Sequence, residues 1–457
     1  MLRKLAAVLA LAALTAPGCG SGTRSTRSSD QIAQPAPAPA PAPAGPQVVG
    51  SVPAIAVDPG PGPAVEPPVA DPPAPSEGPK RAVKAKPLGE TVKKGLVWLA
   101  GSQLQDGGWG QGDEARQLRG NEPRVGIANV ADTSMALLAF LRAGHTPRGG
   151  EHAKTVDRGF GYVLAQIEAS DSDSLYVTQV RGTRVQAKIG QYVDTFAAMM
   201  LLTEAKNQMR DPAGNARLDA ALKKVIRKVE KNQRENGSWD DGGWAPVLSQ
   251  ALAAKGLNRA AQNGAKVSRQ VLQRVEAQAK TGDMKARGSA GIGLYGDAAS
   301  SANIRDDAET KKAKAQELKE RAKKGGRPMA QSPDVPTKAQ IDAAEAEAAD
   351  ATRAAADSER ALTARLSDQR FVAGFGNNGG EEFLSYLLIS ETLVQNGGAE
   401  WERWDAAMTK LVGGVQNEDG SWVGHHCITG RTFVTAAALL VLLGDRAPAT
   451  SNLMAKS

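Results

Sequence analysis

Three short stretches decide the fold: Gln103-Leu-Gln-Asp-Gly-Gly-Trp109, Gln233-Arg-Glu-Asn-Gly-Ser-Trp239 and Gln416-Asn-Glu-Asp-Gly-Ser-Trp422. In each, Gln and Trp stand six positions apart around an Asp-Gly or Asn-Gly step. That step tolerates positive φ and ends a helix, the Gln amide can tie loop backbone, and the indole can cover the end of a neighbouring helix. A turn that recurs three times marks a repeat protein.

On either side of these turns apolar residues recur at helical spacing, with almost no period-two alternation, so the body is all-α. Helices are predicted near 90–105, 129–143, 153–167, 191–205, 216–233, 246–255, 265–279, 381–396, 401–416 and 430–443. They form five pairs, with room for a sixth.

The paired helices and the Gln-to-Trp turns, with Gln103, Trp109, Gln233, Trp239, Gln416 and Trp422 as the repeated positions, resemble the QW repeats of the terpenoid (squalene) cyclase and protein prenyltransferase β-subunit superfamily. The resemblance spans roughly 88–300 and 371–445 and implies an α/α toroid, an inner and an outer ring of helices around a central apolar cavity. It carries the fold and leaves the chemistry open, because the repeated turn is a brace.

A second repeat places Asp132-Thr133 and Asp194-Thr195 just ahead of apolar helical runs, and Arg431-Thr432 opens the last run with the acid replaced. Asp there serves either as a helix cap or as a cavity-lining acid. In a class II cyclase the corresponding stretch is Asp-x-Asp-Asp-Thr, whose middle acid donates the initiating proton. Here it is Asn129-Val-Ala131-Asp132-Thr133, with Ala131 in the donor's place, and no Asp-Asp-x-x-Asp for diphosphate ionisation is present. Asp132, Asp194, Asp240 and Asp241 therefore stand as candidate cavity acids only.

A prenyltransferase would hold zinc through Asp, Cys and a distant His. The nearest counterpart is Gly424-His425-His426-Cys427, which makes His426 and Cys427 the candidate zinc ligands, to be completed by Asp194, Asp240, Asp241, Glu381 or Glu382. The alternatives are a Cys-His nucleophilic pair and a loop of packed polar side chains. Gly374-Phe-Gly376-Asn-Asn-Gly379 fits a dinucleotide-binding pattern but follows no strand, and is expected instead to return the chain to the toroid.

Between 297 and 370 the repeats give way to a Lys-rich run, Lys311 to Lys324, a breaker at Gly325-Gly326-Arg327-Pro328, and an acidic Ala-rich run from Ile341 to Leu366. Two projecting helices are expected, a charged insertion splitting the toroid into 88–296 and 371–445 and followed by a flexible tail, 446–457.

The chain starts with Met1-Leu2-Arg3-Lys4 and an apolar run, Leu5 to Leu14, of secretory-signal length. Ala16-Pro17-Gly18-Cys19-Gly20-Ser21 resembles a bacterial lipoprotein cleavage site, which implies a signal peptide over 1–18 and a lipid on Cys19; ordinary cleavage would leave Cys19 a plain thiol. Residues 19–87, with alternating Pro and Ala from Pro35 to Ala44, predict a disordered, extended spacer. An exported, membrane-anchored envelope protein is expected.

Of the 457 residues 41% are hydrophobic, enough for a substantial core, and 56 Lys+Arg against 49 Asp+Glu leave +7, too little and too scattered to argue for nucleic acid. The residues leave three functions open: a ring that binds an apolar ligand or an envelope protein, an enzyme on an isoprenoid or lipid-like substrate, and a structural scaffold with a filled centre.

Overall fold

The computed structural model describes residues 83–112, 126–239, 242–280, 293–324, 335–372, 374–376 and 379–448, all inside the unit Pro73–Ser457. The expected signal segment, Cys19, the Pro/Ala-rich stretch as far as residue 82, Asp240, Asp241, the breaker at 325–328 and the tail from 449 lie outside the described residues.

The described residues are helical and contain no strand: α1 (Glu90–Gly101), α2 (Val130–Arg142), α3 (Ala153–Ala169), α4 (Arg184–Lys188), α5 (Val193–Glu204), α6 (Pro212–Lys231), α7 (Pro246–Gln262), α8 (Arg269–Lys280), α9 (Gly293–Lys324), α10 (Lys338–Ser367), α11 (Gln369–Val372), α12 (Glu382–Leu393), α13 (Gly398–Gly413) and α14 (Arg431–Leu442). Six of these, α2, α5, α7, α9, α12 and α14, pack side by side in that order, and α14 returns to α2 to close a ring. Around them lie α1, α3, α6, α8, α10 and α13, so the α/α toroid has six hairpins.

Sequence explains which helix goes where. In α6 the apolar residues Leu218, Ala221, Leu222, Val225, Ile226 and Val229 fall at three- and four-residue spacing and are buried, while Lys223 and Arg227 between them face solvent. Asp211 caps it through the Gly214 N–H at 2.7 Å, with Pro212 in the first turn. Inner helices other than α9 have no solvent-facing side. From Val130 to Phe140 every residue of α2 is buried, and α12 is buried from Leu384 to Leu393. The first turns of the inner helices meet at one end, where Asp194 accepts from the Ala131 N–H at 2.9 Å, and the last turns meet at the other, where Arg142 pairs with Glu204 at 2.7 Å.

The Gln-to-Trp turns tie three helices at once. Each Gln side chain donates to the turn's Gly carbonyl and to the next outer helix: Gln103 to Gly107 and Thr155 (both 2.8 Å), Gln233 to Gly237 and Val271 (both 3.2 Å), Gln416 to Gly420 and Thr91 (2.8 and 2.9 Å). Each indole N–H donates at 2.8 Å to the end of the preceding outer helix, Leu99, Val229 or Val412. Each Trp backbone N–H donates at 2.9 Å to a side chain of the following inner helix, Thr133, Gln250 or Thr435. Gly107, Gly237 and Gly420 all take φ between 84° and 91°, which a side chain would strain. The third turn closes the ring: Gln416 reaches Thr91, and nearby the Lys86 N–H donates to Asp445 at 2.6 Å.

The described parts of the segment 297–370, residues 297–324 and 335–370, are charged and largely helical, yet they do not interrupt the toroid. They supply most of the fourth inner helix and all of the fifth outer helix. The start of α9, from Leu294 to Asn303, is built of Ala, Ser and Gly around Tyr295 and packs in the ring on small side chains in place of Leu and Val. Beyond Asp306, α9 runs past the other inner helices and pairs with α10 through Ala308, Ala351 and Ala355. Ion pairs such as Lys311–Glu276 (2.7 Å) and Lys319–Glu345 flank this arm. A recess of ≈ 240 Å³ between Lys312, Ala315, Lys319, Glu345 and Ala348 lies on the arm, away from the ring centre.

Candidate functional site

The expected central hollow is absent among the described residues. The inner helices are buried on every side along their shared length, and charged side chains fill the end where they finish. Arg142 on α2 contacts Glu204 at 2.7 Å and, across the ring, Glu391 on α12 at 2.5 Å. Lys255 on α7 bridges Asp306 (2.7 Å) and Glu391 (2.8 Å), and Arg259 reaches the same two carboxylates at 3.5 Å. Burial alone would push the Glu391 carboxyl up, but Arg142, Lys255 and Arg259 outweigh it and hold it well below the usual range. Arg142 likewise gains more from Glu204 and Glu391 than burial costs it. Three cations against three carboxylates make this end a closed set of ion pairs.

The other end, where the long connections enter the inner helices, carries the candidate residues. Asp132 is fully buried; its Oδ2 accepts from Asn129 Nδ2, while Oδ1 has no partner. Burial, with a contribution from nearby Asp194, pushes it up to about 7. Asp194 is raised as well, chiefly by burial, although Oδ1 accepts from Ala131 N–H and Oδ2 from Gln186 Nε2 at 2.7 Å. Asp194 thus serves the first turn of α2 from the neighbouring helix, while Asn129 is the cap of α2 and the Asp132 carboxyl holds the Asn129 side chain.

Across the same end lies a second group. Glu381, at the start of α12, is fully buried; the Cys427 thiol and the Tyr295 hydroxyl turn toward it, but neither closes a well-formed hydrogen bond to its oxygens. Burial raises its carboxyl. Glu382 beside it accepts from the Tyr386 hydroxyl (2.5 Å) and the Gly376 N–H (3.0 Å). Cys427 adopts φ 59°, unusual for a residue with a side chain, and its half-buried thiol sits between Glu381 and Lys188, pushed up by burial and by the carboxyl. A thiol kept protonated is a poor nucleophile and a poor metal ligand. His426, exposed, has its Nδ1 close to Glu381 beside Gly379.

The structure therefore brings Asp132 to Asp194, and His426 and Cys427 to Glu381, but does not join the two groups. Among the described residues no three His, Cys, Asp or Glu side chains converge to hold a metal ion, so the zinc set is not assembled from them. Asp240 and Asp241 lie outside the described residues. Sequence reasoning missed Lys188 and Tyr295, which carry no motif, and the whole ion-pair set. The available signal was a charge inside an apolar run, as at Arg142 in Ala139-Phe-Leu-Arg142 and Glu391 in Ile389-Ser-Glu391-Thr-Leu393. No protein-family model, curated protein or solved structure matches the chain.

Proposed function

We propose that the chain is an exported, lipid-anchored envelope protein whose squalene-cyclase-like toroid works without cyclase chemistry, as a rigid scaffold that presents its loop-bearing end to a protein partner. The observation that carries this reading is the filled ring. Ion pairs and apolar side chains occupy the space that an isoprenoid would need. Of the two acids of the Asp-Thr repeat, which a cyclase would spend on substrate, Asp194 is committed on both oxygens, to the Ala131 N–H and to Gln186, and Asp132 on one, to Asn129. The loop-bearing end also exposes Ile127 and Val423, apolar side chains suited to a protein contact.

Photo-crosslinking residues placed at Ile127 and Val423 in the native envelope, with Lys314 on the arm as control, test this. One discrete protein adduct from the loop-bearing positions alone is the expected result. Turnover of squalene or of a prenyl diphosphate by the purified protein, or its extraction of a polyisoprenoid from vesicles, would overturn the reading. A second reading, an enzyme on a lipid-like substrate, is favoured by one observation, the strained Cys427 wedged between Glu381 and Lys188. It requires a turnover that Cys427→Ala abolishes. Lipid attachment is checked by Cys19→Ser, which should release the protein from membranes.

A further inference from the structure

Two carboxyl side chains are buried where the first hairpin meets the second, and they are provided for differently. Asp194 on α5 has a donor on each oxygen, the Ala131 N–H at 2.9 Å and Gln186 Nε2 at 2.7 Å. Asp132 on α2 has Asn129 Nδ2 on one oxygen and nothing on the other. Its own N–H donates to Asn129 Oδ1 at 2.8 Å, so Asn129 and Asp132 hold each other in a closed box. The described ion pairs include none to either acid. Of the groups facing them, Arg181 in the connection before α4 acts on Asp194, and its guanidinium is spent on the Val180 carbonyl (3.0 Å) and the Tyr176 ring. Tyr162 on α3 gives its hydroxyl to the Ala128 carbonyl at 2.8 Å and feels both acids and Asp106. On the α14 side Arg431 is paired with Asp419 at 2.6 Å. A second negative charge here would have no counterion and one empty oxygen in a dry junction.

We propose that Asp132 and Asp194 form a proton-operated latch: with a proton on Asp132 the bond from the Ala131 N–H to Asp194 holds the first two hairpins together at the loop-bearing end, and release of that proton to solvent sets two like charges against each other and loosens the segments that the two acids hold. Those segments are 126–132, held through Asn129 and Ala131, and 176–192, held through Gln186. Gln186 also closes the Thr183 capping box and donates to the Val180 carbonyl at 3.0 Å, so losing Asp194 as its acceptor frees α4 as a unit. The latch depends on the ring's own geometry and stands whether or not a partner binds there.

Amide hydrogen exchange on the full-length protein from pH 5.5 to 8.5, corrected for intrinsic rates, tests it. Peptides covering 126–132 and 176–192 should lose at least tenfold protection with a midpoint near 7, while the turn at 143–152 at the opposite end should not change. Asp132→Asn should keep both segments protected at every pH, and Asp194→Asn should move the midpoint down. Protection independent of pH in the wild type, or the same loss in Asp132→Asn, overturns the latch. Should Asp132→Asn not fold, carboxyl carbon NMR on the wild type decides: a midpoint for Asp132 near 7 supports the latch, and one below 5 overturns it.

Discussion

The two ends of the inner ring handle buried charge in opposite ways. Where the helices finish, every carboxylate has a cation: Glu391 touches Arg142, Lys255 and Arg259. Where they begin, Asp132, Asp194 and Glu381 are buried, take part in none of the described ion pairs and are raised toward the neutral form. Aligned helices account for part of this asymmetry, because the positive ends of six dipoles gather at the start and favour acids in the first turns, while the negative ends favour Arg and Lys in the last. The lesson is that one end stores its stability in charge and the other in its absence, so pH acts on the two ends with opposite sign.

The largest expected effect breaks the charged end. Glu391→Ala strands Arg142, Lys255 and Arg259 and should cost about 4 kcal/mol in a denaturant titration at pH 7. Because the folded protein holds Glu391 low, its contribution is present at neutral pH and fades as the solution is acidified below about 4, the ordinary carboxylate range. Asp132→Asn sharpens the contrast from the other end. The acid sits near 3.8 in the unfolded chain and about 7 in the fold. Unfolding therefore releases its proton between those values, and the wild type should lose stability as pH rises through that window. The variant should be stabilised by about 4 kcal/mol at pH 8 and hardly at pH 4, and loss of stability at pH 8 would contradict the assignment.

Two smaller effects sort bracing from decoration. Gln416→Ala removes two hydrogen bonds at the point where the ring closes, and should cost about 1–2 kcal/mol, independent of pH, with faster exchange along α1. Lys319→Ala on the arm removes an exposed ion pair and should change the unfolding free energy in a denaturant titration by no more than about 0.5 kcal/mol.

The helical ring was legible in the sequence because its signals are local. Gln, Gly and Trp at fixed offsets need only one turn to act, and all three copies make the same bonds. The fourth inner helix escaped because α9 enters the ring on alanine and serine, which give no apolar stripe, and the charged run that follows drew the boundary too early. The site was legible only in part. Asp132 and Asp194 are sixty-two positions apart, yet their shared repeat pointed to both; that one caps the other's helix is a fact of ring packing that no spacing encodes. The filled centre was hidden for the same reason, since Arg142, Lys255 and Glu391 are unremarkable singly and neutralise one another only once the ring closes.

The closing contact has a mechanical meaning. Lys86, close to where the described chain begins, is fastened to Asp445 and Asp405, and Gln416 grips Thr91 a few residues on. Tension applied to the chain ahead of this point would load those few bonds in series before it reached any other hairpin. Those bonds are thus the toroid's fuse: under load they should part first, peeling α1 away from the third turn while the packing of α14 on α2 keeps the inner ring shut.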